Sequence, residues 1–188
     1  MRRLRLYGSI WAIGFVFASA YAQEDVLVSE YEVKAAFLYN FAKFVEWPTS
    51  AVRDTTSPFV IGVLGRDPFG AILDQVIGSK SIKGKRLVIR RFSDWTGLSF
   101  CHLLFVSSSE RTNLSLILEK LSRSCTLTVA EMEGFTENRG MVQFVMRDNR
   151  IHFMINAVAA DEAGLKLSSK LLNLAVGVKK KSGNGGGI

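Results

Sequence analysis

Two short runs, Phe59-Val60-Ile61-Gly62-Val63-Leu64 and His102-Leu103-Leu104-Phe105-Val106, are apolar at nearly every position. Alternate residues of a strand face opposite sides of its sheet, so a strand apolar on both sides must be covered on both. Both runs are far too short to cross a bilayer as helices. They read as central strands with helices above and below. Gly84 to Phe92 contains a further strand, and Leu127 to Ala130 another. Helical spacing over Phe69 to Ile77 and Leu114 to Leu121 falls between them. Strands alternating with helices predict a mostly parallel α/β sheet. The pattern then changes. Met141 to Met146 and Arg150 to Ile155 flank Arg147-Asp148-Asn149, which predicts an antiparallel hairpin. Ala159 to Val178 reads as mostly helical, with Gly164 interrupting or starting its last section. Ahead of the first strand, Val28 to Trp47 is the longest helical signal. Ser29 and Glu32 suit a capping box, and Pro48 is the expected stop. Phe37, Phe41, Phe44 and Val45 recur at helical spacing on one face.

The start of the chain has a different character. Arg2, Arg3 and Arg5 precede an uncharged, mostly apolar stretch from Leu6 to Ala18, and Ala20-Tyr21-Ala22 offers a cleavage site. This order predicts a cleaved export signal over residues 1–22. The alternative, a membrane anchor, needs a longer apolar stretch. Residues 23–178 then read as one α/β domain and 179–188 as a flexible basic and glycine-rich tail. The balance of 48% hydrophobic to 22% charged residues is that of a globular domain. The three arginines leave with the signal, taking the formal charge from +7 to +4, and Lys179, Lys180 and Lys181 carry three more. The body between them is close to neutral, which argues against a nucleic-acid partner.

Export changes the reading of the two cysteines. Cys101 and Cys125 each stand just before a predicted strand, with an amphipathic segment between them. If those strands are parallel neighbours, the cysteines share one sheet edge at a spacing that suits a disulfide in an oxidising compartment. The alternative is two buried free thiols. No catalytic constellation emerges. Gly62 to Gly70 follows a strand but lacks the spacing of a nucleotide loop. Gly78 to Arg86 is basic and reads as a solvated connector. Cys101 and His102 are adjacent, hence on opposite faces. His152 lies inside the hairpin. Ser107-Ser108-Ser109-Glu110 has the composition of a helix cap. Two His and two Cys cannot complete an ordinary His/Cys zinc site without carboxylates. No cofactor, metal or enzymatic activity is predicted.

Three stretches resemble the YfiR-like family of periplasmic proteins: Val33 to Pro48, Cys101 to Glu110, and Leu127 to Phe135 together with Ile155-Asn156 and Ala163 to Leu172. The likeness runs from about Ser29 to Val178. It implies a Rossmann-like α/β fold that dimerises. It also implies a soluble periplasmic repressor that binds the periplasmic part of an inner-membrane diguanylate cyclase, lowers cyclic-di-GMP and so restrains biofilm formation. In that scheme an outer-membrane lipoprotein sequesters the repressor. The naming member carries more than one disulfide, whereas this chain has cysteines for one. Core or interface roles are expected for Phe37, Phe41, Phe44 and Trp47. Phe135, Asn138, Arg139 and Met141 are expected in a partner-contacting connection, because aromatics and arginines anchor interfaces disproportionately. A competing expectation is a periplasmic small-ligand sensor acting through another receptor, with its site at Gly65 and Ser107 to Ser109, since ligands favour the carboxyl ends of parallel strands.

Overall fold

The computed structural model describes residues 30–52 and 56–181. The expected export signal, the expected Ser29 cap and residues 182–188 of the expected tail lie outside the described residues. A helix over residues 30–44 (α1) comes first. It is followed by β1 (Val45–Glu46), α2 (Thr49–Val52), β2 (Phe59–Leu64), α3 (Ala71–Ile77), β3 (Ser81–Ile82) and β4 (Lys85–Phe92). Next come β5 (Leu103–Val106), a 3-10 segment Ser108–Asn113, α4 (Leu114–Leu121) and β6 (Leu127–Ala130). The chain closes with β7 (Val142–Arg147), β8 (Arg150–Asn156), α5 (Ala157–Glu162), β9 (Lys166–Leu167), α6 (Ser169–Leu174) and β10 (Gly177–Lys179).

Among the described residues, eight strands form one sheet in the order β10-β8-β7-β6-β5-β2-β4-β3. From β7 through β4 every neighbour is parallel. The β7–β8 hairpin and the β3–β4 pair are antiparallel, and β10 joins β8 parallel. The fold is therefore the expected α/β sheet with an antiparallel hairpin towards its C-terminal end. Alternation along β2 explains its burial on both sides. Phe59, Ile61 and Val63 join the cluster under α1, α3, α5 and α6, while Val60 and Leu64 join the smaller cluster under α4. Gly62 sits between them because a Cβ there would come within 2.7 Å of both Cys101 Sγ and Leu104 Cδ1. The hairpin turns on Asp148 and Asn149, both with positive φ. That is the conformation a two-residue turn needs to match strand twist.

Three expectations are corrected. The first helix stops at residue 44, four residues before Pro48, because Val45 and Glu46 become extended and pair with Leu167 and Lys166. Gly78 to Arg86 is not only a connector, since it contains β3, a two-residue partner of β4. The stretch from Ala159 to Val178 is not one helix. Gly164, at φ 74, ends α5 after Glu162, and Ser168 accepts from the Leu171 N–H to start α6 afresh. Between and after these helices, β9 and β10 are recruited by β1 and β8.

Candidate functional site

At the carboxyl ends of β2 and β5, Gly65 takes a left-handed φ of 85 and turns the chain away from the sheet. The Arg66 N–H donates to Ser109 Oγ at 2.9 Å, and Glu110 is buried beside Gly65. Ser107 Oγ caps the 3-10 segment by accepting from the Ser109 N–H, as the serine run suggested. On the neighbouring strand, Arg91 spans the loop before α3. It contacts Asp67 at 2.7 Å, Asp74 at 2.6 Å and the Gly70 carbonyl at 2.8 Å. The place where a doubly wound sheet commonly holds its ligand is thus filled by Ser109 and Glu110 and fastened by Arg91. Gly62 to Leu64 are the end of β2, and Gly65 to Gly70 form the turn into α3, with Phe69 buried beneath it.

The amino ends of the same strands are open. A cavity of about 640 Å³ lies among Ser57, Pro58, Val60, Lys85, Arg90, Phe100, His102 and Cys125. His102 forms its inner wall at 4% exposure. Its Nδ1 accepts from the Val60 N–H at 3.1 Å, its ring stacks on Phe59 at 4.3 Å, and its carbonyl accepts from Trp47 Nε1 at 3.2 Å. A ring that accepts at Nδ1 is neutral there. Burial pushes its pKa down to about 4, the Lys85 ammonium adds to that, and a backbone hydrogen bond at Ala51 only partly opposes it.

The cysteines sit at this same end. The register pairs Leu103 with Leu127, so the expected parallel neighbourhood of the two strands is present. The bond itself is not, and both are free thiols. Their side chains serve different faces. Cys101 packs into the α4-side cluster with Sγ 3.3 Å from the Ser99 carbonyl, while Cys125, at φ 53, packs against the opposite cluster and lines the cavity. Burial pushes the Cys101 thiol up to about 12, against a pull from Arg90.

The expected interface residues separate by depth. Phe41, Trp47, Phe135 and Met141 are core residues, whereas Phe37 and Phe44 are half-buried. Phe37 and Phe41 stack at 5.9 Å and meet Phe144 and Phe153 of the hairpin at 4.9–6.0 Å. Phe44 carries Lys170 over its ring at 4.9 Å. In the connection between β6 and β7, Gln143 Oε1 accepts from the Phe135 and Thr136 N–H groups and pins the loop to the sheet. Asn138 and Arg139 are left exposed at its tip. Asn138 donates to the Gly134 carbonyl at 2.7 Å, and Arg139 reaches Glu162 at 3.1 Å.

Sequence reading did not single out Lys34. It is 4% exposed and lies 2.5 Å from both Glu30 and Glu131, with its ammonium over the Tyr31 ring. Burial alone would lower this ammonium, but its bonds to Glu131 and Glu30 outweigh that and raise it. The nearby Glu30 was a detectable partner at i−4. Glu131, 97 positions away, was not. Phe100 and Arg90, brought together at the cavity, were likewise separated by an irregular stretch. Among the described residues no group of three or more His, Cys, Asp or Glu is placed to hold a metal, and no helix is long and apolar enough to cross a membrane.

The YfiR/HmsC-like family model matches residues 31–176, from α1 to the residue before β10. The chain belongs to the YfiR/HmsC-like family. The matched span includes the aromatic face of α1, both cysteines and the β6–β7 connection. Members of the YfiR/HmsC-like family are periplasmic regulators in diguanylate cyclase signalling. No curated protein matches the chain. Among solved structures, a conserved domain protein from Vibrio cholerae O1 biovar El Tor is similar at 10% identity, with a TM-score of 0.49. The match covers 64% of this chain and spans about half of that one, 55% of its length.

Proposed function

We propose that this chain is an exported periplasmic repressor that binds and inhibits the periplasmic part of an inner-membrane signalling enzyme, a diguanylate cyclase, and so lowers cyclic-di-GMP. The observation that carries the reading is the YfiR/HmsC-like match over residues 31–176. The surface is consistent with a binding role. The β6–β7 connection is held rigidly by Phe135 and Gln143 and presents Asn138 and Arg139 outward, and a fixed loop loses little entropy on docking. The proposal includes cleavage after residue 22, a homodimer, and capture by an outer-membrane lipoprotein. Its test is co-purification of the mature chain with the periplasmic domain of a diguanylate cyclase encoded beside it. Binding at micromolar concentration with reduced cyclase output supports the reading, and no binding there ends it.

The second reading, a small-ligand sensor, moves to a different place. The Gly65–Ser109 corner is filled, so the cavity between Phe100, His102 and Cys125 is its candidate site. A thermal-shift screen of small periplasmic metabolites tests it, and a flat response throughout removes it.

A further inference from the structure

One edge of the large sheet is unfinished. β4 is paired with β2 over its last six residues, Leu87 to Phe92, but on its outer side β3 reaches only Lys85 and Arg86. The Gly65 N–H donates to the Phe92 carbonyl at 2.8 Å, which sets the alternation along β4. Phe92, Arg90 and Val88 turn their backbone groups towards β2, and those of Ile89 and Arg91 turn outward. Among the described residues, no hydrogen bond reaches the N–H or C=O of Ile89 or Arg91. An exposed row of this kind is a template for an added strand.

The side chains along this edge restrict what can add. On one face Arg86 and Arg90 flank Val88, and both arginines are exposed. Among the described residues, the Arg90 guanidinium makes one long hydrogen bond, 3.4 Å, to Ser99 Oγ, and it lines the cavity near Phe100. On the other face Leu87 and Ile89 pack against the core, and Arg91 is held by Asp67 and Asp74. The nearest acid beyond the strand, Asp94, is engaged in its own turn with Thr96 and Gly97. Antiparallel pairing of β4 with a second copy would crowd four guanidinium groups onto one face, and like charges across strands are destabilising. Ser81 already stands opposite Arg86, so an added strand lies beyond β3 along this edge. With an apolar residue over Val88, one carboxylate meets Arg90 directly and an acidic end is reached by Arg86 diagonally. The backbone of the added strand would satisfy Ile89 and Arg91.

We propose that the outer edge of β4 is a docking site for an extended, acidic segment of a partner protein, added as a further strand of the sheet and selected by Arg86 and Arg90. The site stands independently of the inhibitory reading above, because it needs no particular partner.

The test uses the full mature chain and a fluorescent peptide of roughly seven residues alternating glutamate and valine, about the length of an ordinary strand. The acidic peptide is expected to bind and to shift and protect the Ile89 and Arg91 amides in 15N spectra. A lysine–valine counterpart is expected to bind at least about tenfold more weakly. Ile89→Pro removes one outward donor at a position where an edge strand tolerates proline, and should weaken binding about tenfold. The double reversal R86E/R90E should lose the acidic peptide and gain the lysine one, and it keeps the proposal open to refutation if the proline variant does not fold. Undiminished binding by Ile89→Pro would reduce the edge to plain charge attraction and overturn the proposal. Absence of binding at millimolar peptide would overturn it too, as would protection of amides elsewhere, or protection of Ile89 and Arg91 by self-association without peptide.

Discussion

At the carboxyl ends of β2 and β5, Ser109 and Glu110 fill the space between the connections, whereas about 640 Å³ stays open at the amino ends of the same strands. The strands and their polarity are common to both ends. What differs is the side chains of the connections. Gly65 has none, so Ser109 and Glu110 can close over it. At the other end Pro58, Phe100 and the rigidly held His102 are bulky and stand apart. The lesson is that strand polarity alone does not locate a cavity in a doubly wound sheet. The residues at the turns decide which end is solid.

The solid end is broken most severely at Gly65. A Cβ there would collide with Ser109 Oγ in a left-handed conformation already unfavourable for other residues. Gly65→Ala should cost about 3 kcal/mol, combining backbone strain with overpacking. Gly70→Ala, also at positive φ but with open space around it, should cost about 1 kcal/mol. Urea midpoints of the two variants measure the difference, and equal losses would show that the packing against Ser109 and Glu110 contributes nothing.

The open end should be the acid-sensitive one. His102 has a folded pKa of about 4 against an ordinary 6.5, so between those values the unfolded chain binds the extra proton. Its contribution is complete above pH 6.5, falls as the pH drops, and is lost by about pH 4. The loss is of order 2–3 kcal/mol. Unfolding free energies at pH 7 and 4.5 should show most of this fall, and His102→Gln should remove it. A wild-type profile unchanged by that substitution would place the titrating group elsewhere.

A smaller effect belongs to Arg91. Its side chain is 40% exposed, so solvent screens the pairs with Asp67 and Asp74. Arg91→Met should cost about 1 kcal/mol and raise hydrogen exchange in the loop before α3, leaving the cavity end unchanged. The least disruptive probe is alkylation of the native chain. Cys125 should react and Cys101, buried and pushed up to about 12, should not. A non-reducing mass lower by two hydrogens, with no labelling, would show instead that the pair is bridged.

The parts of this molecule legible in the sequence are those with strong periodicity over four or more residues. β2, β6 and α4 begin and end where the apolar pattern does, and the hairpin turns at Asp148 and Asn149. β1, β3 and β9 are two residues long, too short for any alternation to show. The span after Ala157 carries leucines at helical intervals, yet tertiary pairing with β1 and β8 overrides that spacing. Candidate residues were legible as types but not as depths. Phe135 and Arg139 lie in one short loop, and folded contacts, the Gln143 and Asn156 bonds to its backbone among them, make the first core and leave the second at the surface. Lys34 resembles any helix-face lysine until Glu131 is folded against it.

The aromatic face of α1 also has a consequence for timing. Phe37 and Phe41 are covered by Phe144 and Phe153, more than a hundred residues further along the chain. A polypeptide that emerges N-terminus first therefore carries a bare aromatic stripe until nearly its whole length has followed. During that interval the exposed stripe is the part of the chain most open to aggregation, a hazard that the finished fold no longer carries.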